Sequence, residues 1–225
     1  MKTLLIKLAG SVSDSTLPKF GELTLQALMN MGSSANYPQR VINIAVKEPI
    51  TVTADGTGFF TNSDYSGNLG KTINLTPSTD AKPITLGLSS SQYNVKFSNK
   101  YAITHLQFWC GYMRNIKLSD FRDMVGLLDF RLYSGGSNLS GTLADISTLV
   151  NMVSLMIDSA PNVTGAISSL LPMTKMVYLR LWNSTNASWT MPGITGATSD
   201  IASLYPTLNS VNLQSTSVTG SWPPA

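Results

Sequence analysis

His105 and Cys110 are the single histidine and single cysteine of the chain, so acid–base, nucleophilic and metal chemistry must be sought there first. A catalytic histidine needs a nucleophile and an orienting acid beside it. No such set can be picked out around His105, which reads as a surface or hydrogen-bonded histidine. Cys110 follows Trp109 at the end of an apolar run and reads as a buried, inert thiol. Zinc requires a cluster of Cys and His that this chain lacks, and one cysteine forms no internal disulfide. Asp120 and Asp123 flank Phe121-Arg122 and fit either calcium or a solvated turn. Asn138, Asn162, Asn183 and Asn186 each begin an Asn-x-Ser/Thr triplet, the glycosylation pattern; the first two continue into Gly and belong to a repeat described below. The expectation is therefore no catalytic residue, no cofactor, no metal and no enzymatic activity.

Chemistry that does not come from ionisable clusters must come from surface and scaffold. The chain has 225 residues, and only 12 % are charged. Ser, Thr and Asn together make up 68 of the 225, so hydroxyls and amides provide solubility. Hydrophobic residues at 43 % suffice for a core, which excludes wholesale disorder. No apolar run is long enough for a transmembrane helix, so no membrane insertion is expected. The net charge of +3 lies wholly in residues 1–100, with nine Lys/Arg against six Asp/Glu; the remainder carries six of each. An acidic partner would meet the first part. No basic cluster of the nucleic-acid-binding kind occurs, so no nucleic acid is expected. The start MKTLLIKLAG breaks its apolar run at Lys7, unlike a secretory signal, which predicts a protein kept in a cytoplasm or assembled into a particle there.

From residue 103 a spacing recurs, with apolar residues at relative positions one, four and six. The copies are Ile103/Leu106/Phe108, Leu127/Phe130/Leu132, Met152/Leu155/Ile157, Met176/Leu179/Leu181 and Leu208/Val211/Leu213. A second column follows each copy: Asn115-Ile116, Asn138-Leu139, Asn162-Val163, Asn186-Ala187 and Ser217-Val218. A third holds Gly141, Gly165 and Gly220. Such a unit cannot bury its apolar edge alone, so stacked copies must share one core. Methionines at anchor positions (Met152, Met176) read as core filler. The asparagines are expected to bond the turning backbone between copies. Segments 144–149 and 168–173 are expected to return as short helical or irregular turns, and 191–200 as a loop that carries the longer fourth interval.

The pattern resembles the leucine-rich repeat family, and the runs NLSGTL, NVTGAI and SVTGSWPP look like its plant-type variant. The Asn falls five to seven residues after the last anchor, where the family has it three after. The resemblance covers residues 101–225 and implies a solenoid of about five repeats with a parallel β-sheet. It also implies that residues between anchors face outward on a concave sheet, in three rows. These are His105, Asp129, Ser154, Tyr178 and Ser210; then Gln107, Arg131, Met156, Arg180 and Asn212; then Trp109, Tyr133, Asp158, Trp182 and Gln214. Arg, Trp and Tyr are the types that anchor interfaces, and aromatic faces also stack on sugar rings. These side chains either form a partner-binding surface or pack on one another and on the N-terminal part.

Residues 1–100 read as β. Alternation or apolar runs predict strands at 3–8, 22–28, 41–46, 50–54, 71–75, 84–88 and 93–97, separated by turn signals such as Lys47-Glu48-Pro49 and Asp55-Gly56. The fold class expected is mainly β: a small sandwich- or barrel-like domain (1–100) that docks and caps, followed by the solenoid (101–225). The strand at 93–97 is expected against the first repeat. The runs 1–26 and 93–108 resemble proteins of gut Bacteroidetes and their crAss-like phages, which join a β module to a leucine-rich repeat tract. That resemblance implies a virion protein whose first part docks on other virion subunits and whose repeats contact a host surface protein, a glycan or neighbouring subunits. The alternative is an adhesin at a bacterial cell surface.

Overall fold

The computed structural model describes residues 21–27, 41–63, 70–87, 92–133, 135–183 and 190–221. The expected strand at 3–8, the ends of those at 22–28 and 84–88, Asn186 and the final Trp222-Pro223-Pro224 lie outside the described residues.

The chain is mainly β. The first hundred residues supply β1 (Leu23–Ala27), β2 (Val41–Val46), β3 (Ile50–Ala54), β4 (Phe60–Ser63), β5 (Thr72–Leu75), β6 (Lys82–Leu86) and β7 (Tyr93–Phe97). Then come β8 (Ile103–Trp109), β9 (Met113–Arg114), β10 (Ile116–Lys117), β11 (Asp129–Tyr133), β12 (Leu139–Thr142), β13 (Ser154–Asp158) and β14 (Asn162–Ala166). The last four are β15 (Tyr178–Trp182), β16 (Met191–Ala197), β17 (Ser210–Asn212) and β18 (Thr216–Thr219). Described helical segments are short 3-10 turns, and none is long and apolar enough to cross a membrane.

The described strands form three sheets. One runs β5-β3-β7-β1-β9, with β1, β3, β5 and β7 paired antiparallel. β3 and β7 alternate buried and half-buried residues, the period-two pattern of a strand with one face on a core. The longest runs β17-β15-β13-β11-β8-β2-β6-β4. Its parallel part is β8, β11, β13, β15 and β17, the five segments marked by the apolar spacing. Its antiparallel part begins where β2 pairs with β8, placing Ile42 opposite Phe108 and Ile44 opposite Leu106. β2 thus covers the backbone edge that β8 would otherwise expose. The segment expected there, 93–97, instead pairs with β1 and β3. The 3-10 turn Lys100–Ala102 carries the chain from one sheet to the other, ahead of β8.

The third sheet, β10-β12-β14-β16-β18, is parallel and made of strands of two to seven residues. It carries Gly141, Gly165 and Gly196 of the glycine column, with Gly220 directly after β18. Gly141, Gly165, Gly196 and Gly220 have φ of 123°, 113°, 116° and 95°, a region that a Cβ disfavours. The segment 191–200, expected as a loop, is β16 followed by the start of a 3-10 turn. β16 pairs with β14 and β18, so Gly196 fills the fourth glycine place that the spacing leaves empty.

Each anchor of the first four copies is buried, with at most 1 % exposure, and joins a single contiguous core with the first-half strands. The turns Leu143–Ile146 and Ile167–Leu170 return the chain as short helical segments. Three turns begin alike, with an aspartate accepting from a backbone N–H three residues earlier. The pairs are Lys117 N to Asp120 (3.1 Å), Thr142 N to Asp145 (2.8 Å) and Ala197 N to Asp200 (2.8 Å). Asp120 is thus a cap, and Asp123 pairs with Lys100 at 3.6 Å. Asp145 also receives the Thr142 hydroxyl and Arg122 at 3.0 Å each. The Thr142 N–H, seconded by that hydroxyl and Arg122 against some desolvation, holds the Asp145 carboxyl below its ordinary value.

A lowered folded-state pKa adds stability above the unfolded carboxylate range and loses it as pH falls through the folded pKa. Asp145→Asn should therefore be less stable than the parent at neutral pH, by about 0.5–2 kcal/mol as for other lost caps. The gap should close in acid. Urea unfolding of both proteins at the two pH values checks this, and a gap that widens in acid refutes it.

Candidate functional site

The outward face of the parallel strands is assembled by backbone register. Pairing aligns His105 with Asp129, Ser154 with Tyr178, and Tyr178 with Ser210. It likewise aligns Gln107 with Arg131, Arg131 with Met156, Met156 with Arg180, and Arg180 with Asn212. Trp109 meets Tyr133, and Asp158 meets Trp182. Gln214 lies beyond β17 and is exposed. Anchors on the same strands point into the core, so alternation sends these side chains the other way.

The face has a polar centre. Asp129 is 8 % exposed and takes Gln107 Nε2 on Oδ2 at 2.7 Å and Arg131 Nε on Oδ1 at 2.8 Å. Burial works against the Arg131 charge, yet the hydrogen bond and charge of Asp129, with help from Tyr133, hold the guanidinium above its ordinary pKa. Trp109 and Tyr133 stack at 5.3 Å with 23° between ring planes. His105 Nδ1 lies 3.0 Å from the Thr104 hydroxyl, which also approaches the Ala45 carbonyl at 3.3 Å.

Three residues expected to be outward and available are covered instead: Asp129, Ser154 and Asp158, at 8 %, 7 % and 2 % exposure. Asp129 is covered because its neighbours fold over it. Asp158 turns to the hydroxyl of Ser159, whose Oγ donates at 2.7 Å. Asn212 accepts from the backbone N–H of Gln214 at 3.0 Å, so its carbonyl oxygen serves a local turn. Tyr178 is 46 % exposed and Arg180 is also exposed. Gln107, Trp109, Arg131, Tyr133, Met156, Trp182 and Asn212 are half-buried. The Trp182 Nε1 is buried without a hydrogen-bond partner among the described residues.

Three depressions run along this face. The first, about 460 Å³, lies between Lys47, the Pro77–Thr79 link and His105, on a mainly apolar floor. The second, about 270 Å³, shares His105 with the first and reaches Asp129, Arg131 and Tyr178. The third, about 170 Å³, shares Arg131, Ser154 and Tyr178 with the second and ends at Arg180. Together they cross β8, β11, β13 and β15. Lys47 and the 77–79 link are not legible in the sequence as parts of the face, because nothing local marks a contact with residues over twenty positions away. Asp129 is legible as outward-facing; its role in holding Gln107 and Arg131 is not.

The repeat residues sit outside this face. Asn115 has φ of 53° and approaches Gln26 at 3.4 Å. Asn138 ends the turn Gly136–Asn138. Asn162 forms an asparagine rung at an expected position, donating to the Ser137 carbonyl at 3.4 Å. Cross-turn bonding is also carried elsewhere: Asn151 donates to the Val125 carbonyl at 2.9 Å, and Thr148 donates to the Arg122 carbonyl. Asn115, Asn138 and Asn162 follow the anchors too late in their copies to face inward. Gly111, Gly135 and Ala160 occupy the place three residues after the anchor.

Among the described residues no group of three His, Cys, Asp or Glu gathers to hold a metal ion. Cys110 is buried; desolvation, seconded by the charge of Asp158, raises its pKa far above the ordinary thiol value, so it stays protonated. No protein-family model matches this chain, and no curated protein gives a significant match.

Proposed function

We propose that this is a non-enzymatic interaction protein of the leucine-rich repeat kind, with residues 101–225 as a solenoid and the outward face of its parallel strands as the binding surface. One observation carries the reading: strand register gathers Arg131, Arg180, Tyr178, Trp182 and the Trp109–Tyr133 stack on one face, beside continuous depressions. These are residue types that dominate binding energy when they become desolvated. The proposed setting is a virion, with residues 1–100 docking to other subunits and the repeat face turned to a host surface or a neighbour. Support for that setting is the resemblance carried by runs 1–26 and 93–108.

Arg180→Ala and Tyr178→Ala should weaken binding to the particle or host surface by about tenfold or more each, with no change in melting temperature, because both side chains are exposed. Co-sedimentation of labelled protein with particles and with host cells reads this out. Unchanged binding by both variants refutes the face. Mass spectrometry of purified particles that fails to find the chain refutes the virion setting.

A further inference from the structure

We propose that the depression between Arg131 and Arg180 receives the carboxylate of an acidic sugar, a uronic or sialic acid residue of a glycan. The inference rests on the reading of the outward face as the binding surface and names the chemistry of its ligand.

The two arginines stand on β11 and β15, with Met156 of β13 in register between them. Two strand spacings put their Cα atoms about 10 Å apart, and both side chains line the same depression of about 170 Å³. Their charges are not equivalent. Arg131 is paired with Asp129 at 2.8 Å, which fixes it and cancels its charge. Arg180 is exposed and has no acidic partner among the described residues. The depression therefore keeps one guanidinium uncompensated among the described residues, a local positive site that the neutral net charge of residues 101–225 conceals, against the expectation that an acidic partner meets the first part. Its planar fork suits a carboxylate.

The surroundings select a sugar over the alternatives. Protein interfaces close over an apolar, desolvated centre. The exposed large apolar side chains described are Phe59, Tyr101, Val125, Val150 and Tyr178, and of these only Tyr178 lies on this face. Around the depression the face offers the half-buried amide of Gln107 and guanidinium of Arg131, polar groups that match a polyhydroxylated ligand, while the apolar floor belongs to the separate depression beside Lys47. Tyr178 and Trp182 flank Arg180 on β15, one two residues before it and one two residues after, and supply ring faces for a pyranose. Nucleic acid is disfavoured, because tracking phosphates requires several uncompensated cations and this site holds one.

The full chain should be titrated with the methyl glycosides of glucuronic acid and N-acetylneuraminic acid, with methyl glucoside as the neutral control. An Asp/Glu-rich peptide forms a fourth arm, and NMR line shifts provide the readout. At least one acidic sugar should saturate, about tenfold or more tighter than the neutral one, and Arg180→Gln should remove about tenfold or more of that affinity. The binding should also weaken with added salt. Equal binding of acidic and neutral sugars, no binding of either acidic sugar, or intact binding by Arg180→Gln overturns the proposal. Peptide binding lost in Arg180→Gln, with no acidic sugar bound, assigns the anion site to a protein partner and likewise overturns it. If Arg180→Ala lowers particle or host binding while neither acidic sugar binds, the binding face stands and the acidic sugar falls.

Discussion

Phe130→Ala should destabilise the protein by about 3–5 kcal/mol, the range for a buried aromatic cut to alanine. Phe130 is fully buried, with its ring centroid 4.7 Å from that of Phe121, itself 6.4 Å from Phe108. The three rings bridge the first two copies of the repeat. β11, which carries Phe130, is hydrogen-bonded to β8 on one side and β13 on the other. Walls held by ladders on both sides cannot collapse into the vacated space, so the cavity term persists and the cost falls in the upper part of the range. Total stabilities of about 5–15 kcal/mol make this a large fraction. Val125→Ala and Val150→Ala serve as controls: these side chains are 49 % and 44 % exposed, and each change should stay within about 0.5 kcal/mol. Urea unfolding with unchanged slope measures all three. A loss below about 1 kcal/mol at Phe130 would show that the rings are not a shared core.

The same three rings show what the sequence makes legible. Phe108 and Phe130 are anchors of an apolar spacing, and a spacing is a local record of which side of a strand meets the core. That is why the five parallel strands and the alignment of their outward residues can be read from residue types alone. Phe121 belongs to no anchor and is buried by the returning turn, so its role depends on packing between copies. The second parallel sheet is hidden for a related reason. Its strands are as short as two residues, and runs such as Asn162-Val163-Thr164-Gly165 carry turn residues whose chemistry masks extended backbone. Gly196 escapes the glycine column because the longer fourth interval displaces it from the expected spacing. β4 has Thr-Asn-Ser after Phe60, with no apolar alternation to mark it, and is absent from the expected strands. At the site, register determines the membership of the rows. It does not reveal Asp129 as their hub, nor the burial of Asp158, because both depend on neighbouring side chains closing over them.

Gly135→Ala should cost about 1–3 kcal/mol, while Gly111→Ala, at the equivalent place in the preceding copy, should be neutral or stabilise by up to about 1 kcal/mol. Backbone strain does not distinguish them. Gly135 has φ of −54° and ψ of −42°, an ordinary helical conformation, and Gly111 is not among the positive-φ glycines. The difference is what a new methyl meets. At Gly111 nothing lies within 4 Å, so alanine only narrows the unfolded ensemble. At Gly135 the methyl would sit 2.7 Å from the Ala160 Cβ and 3.2 Å from its Cα. Ala160 is fully buried and has no flexible side chain to move aside. The two turns are also tied by backbone bonds, Gly135 N to the Asp158 carbonyl at 2.8 Å and Gly136 N to the Ser159 carbonyl at 2.6 Å, so one cannot shift without straining these. The decisive measurement is a double-mutant cycle with Ala160→Gly, which removes the atom in the way. The double variant should be more stable than the sum of the single losses by about 0.5–3 kcal/mol, the range for residues in contact. Strict additivity would mean that the turns of neighbouring copies do not rest on one another at this point.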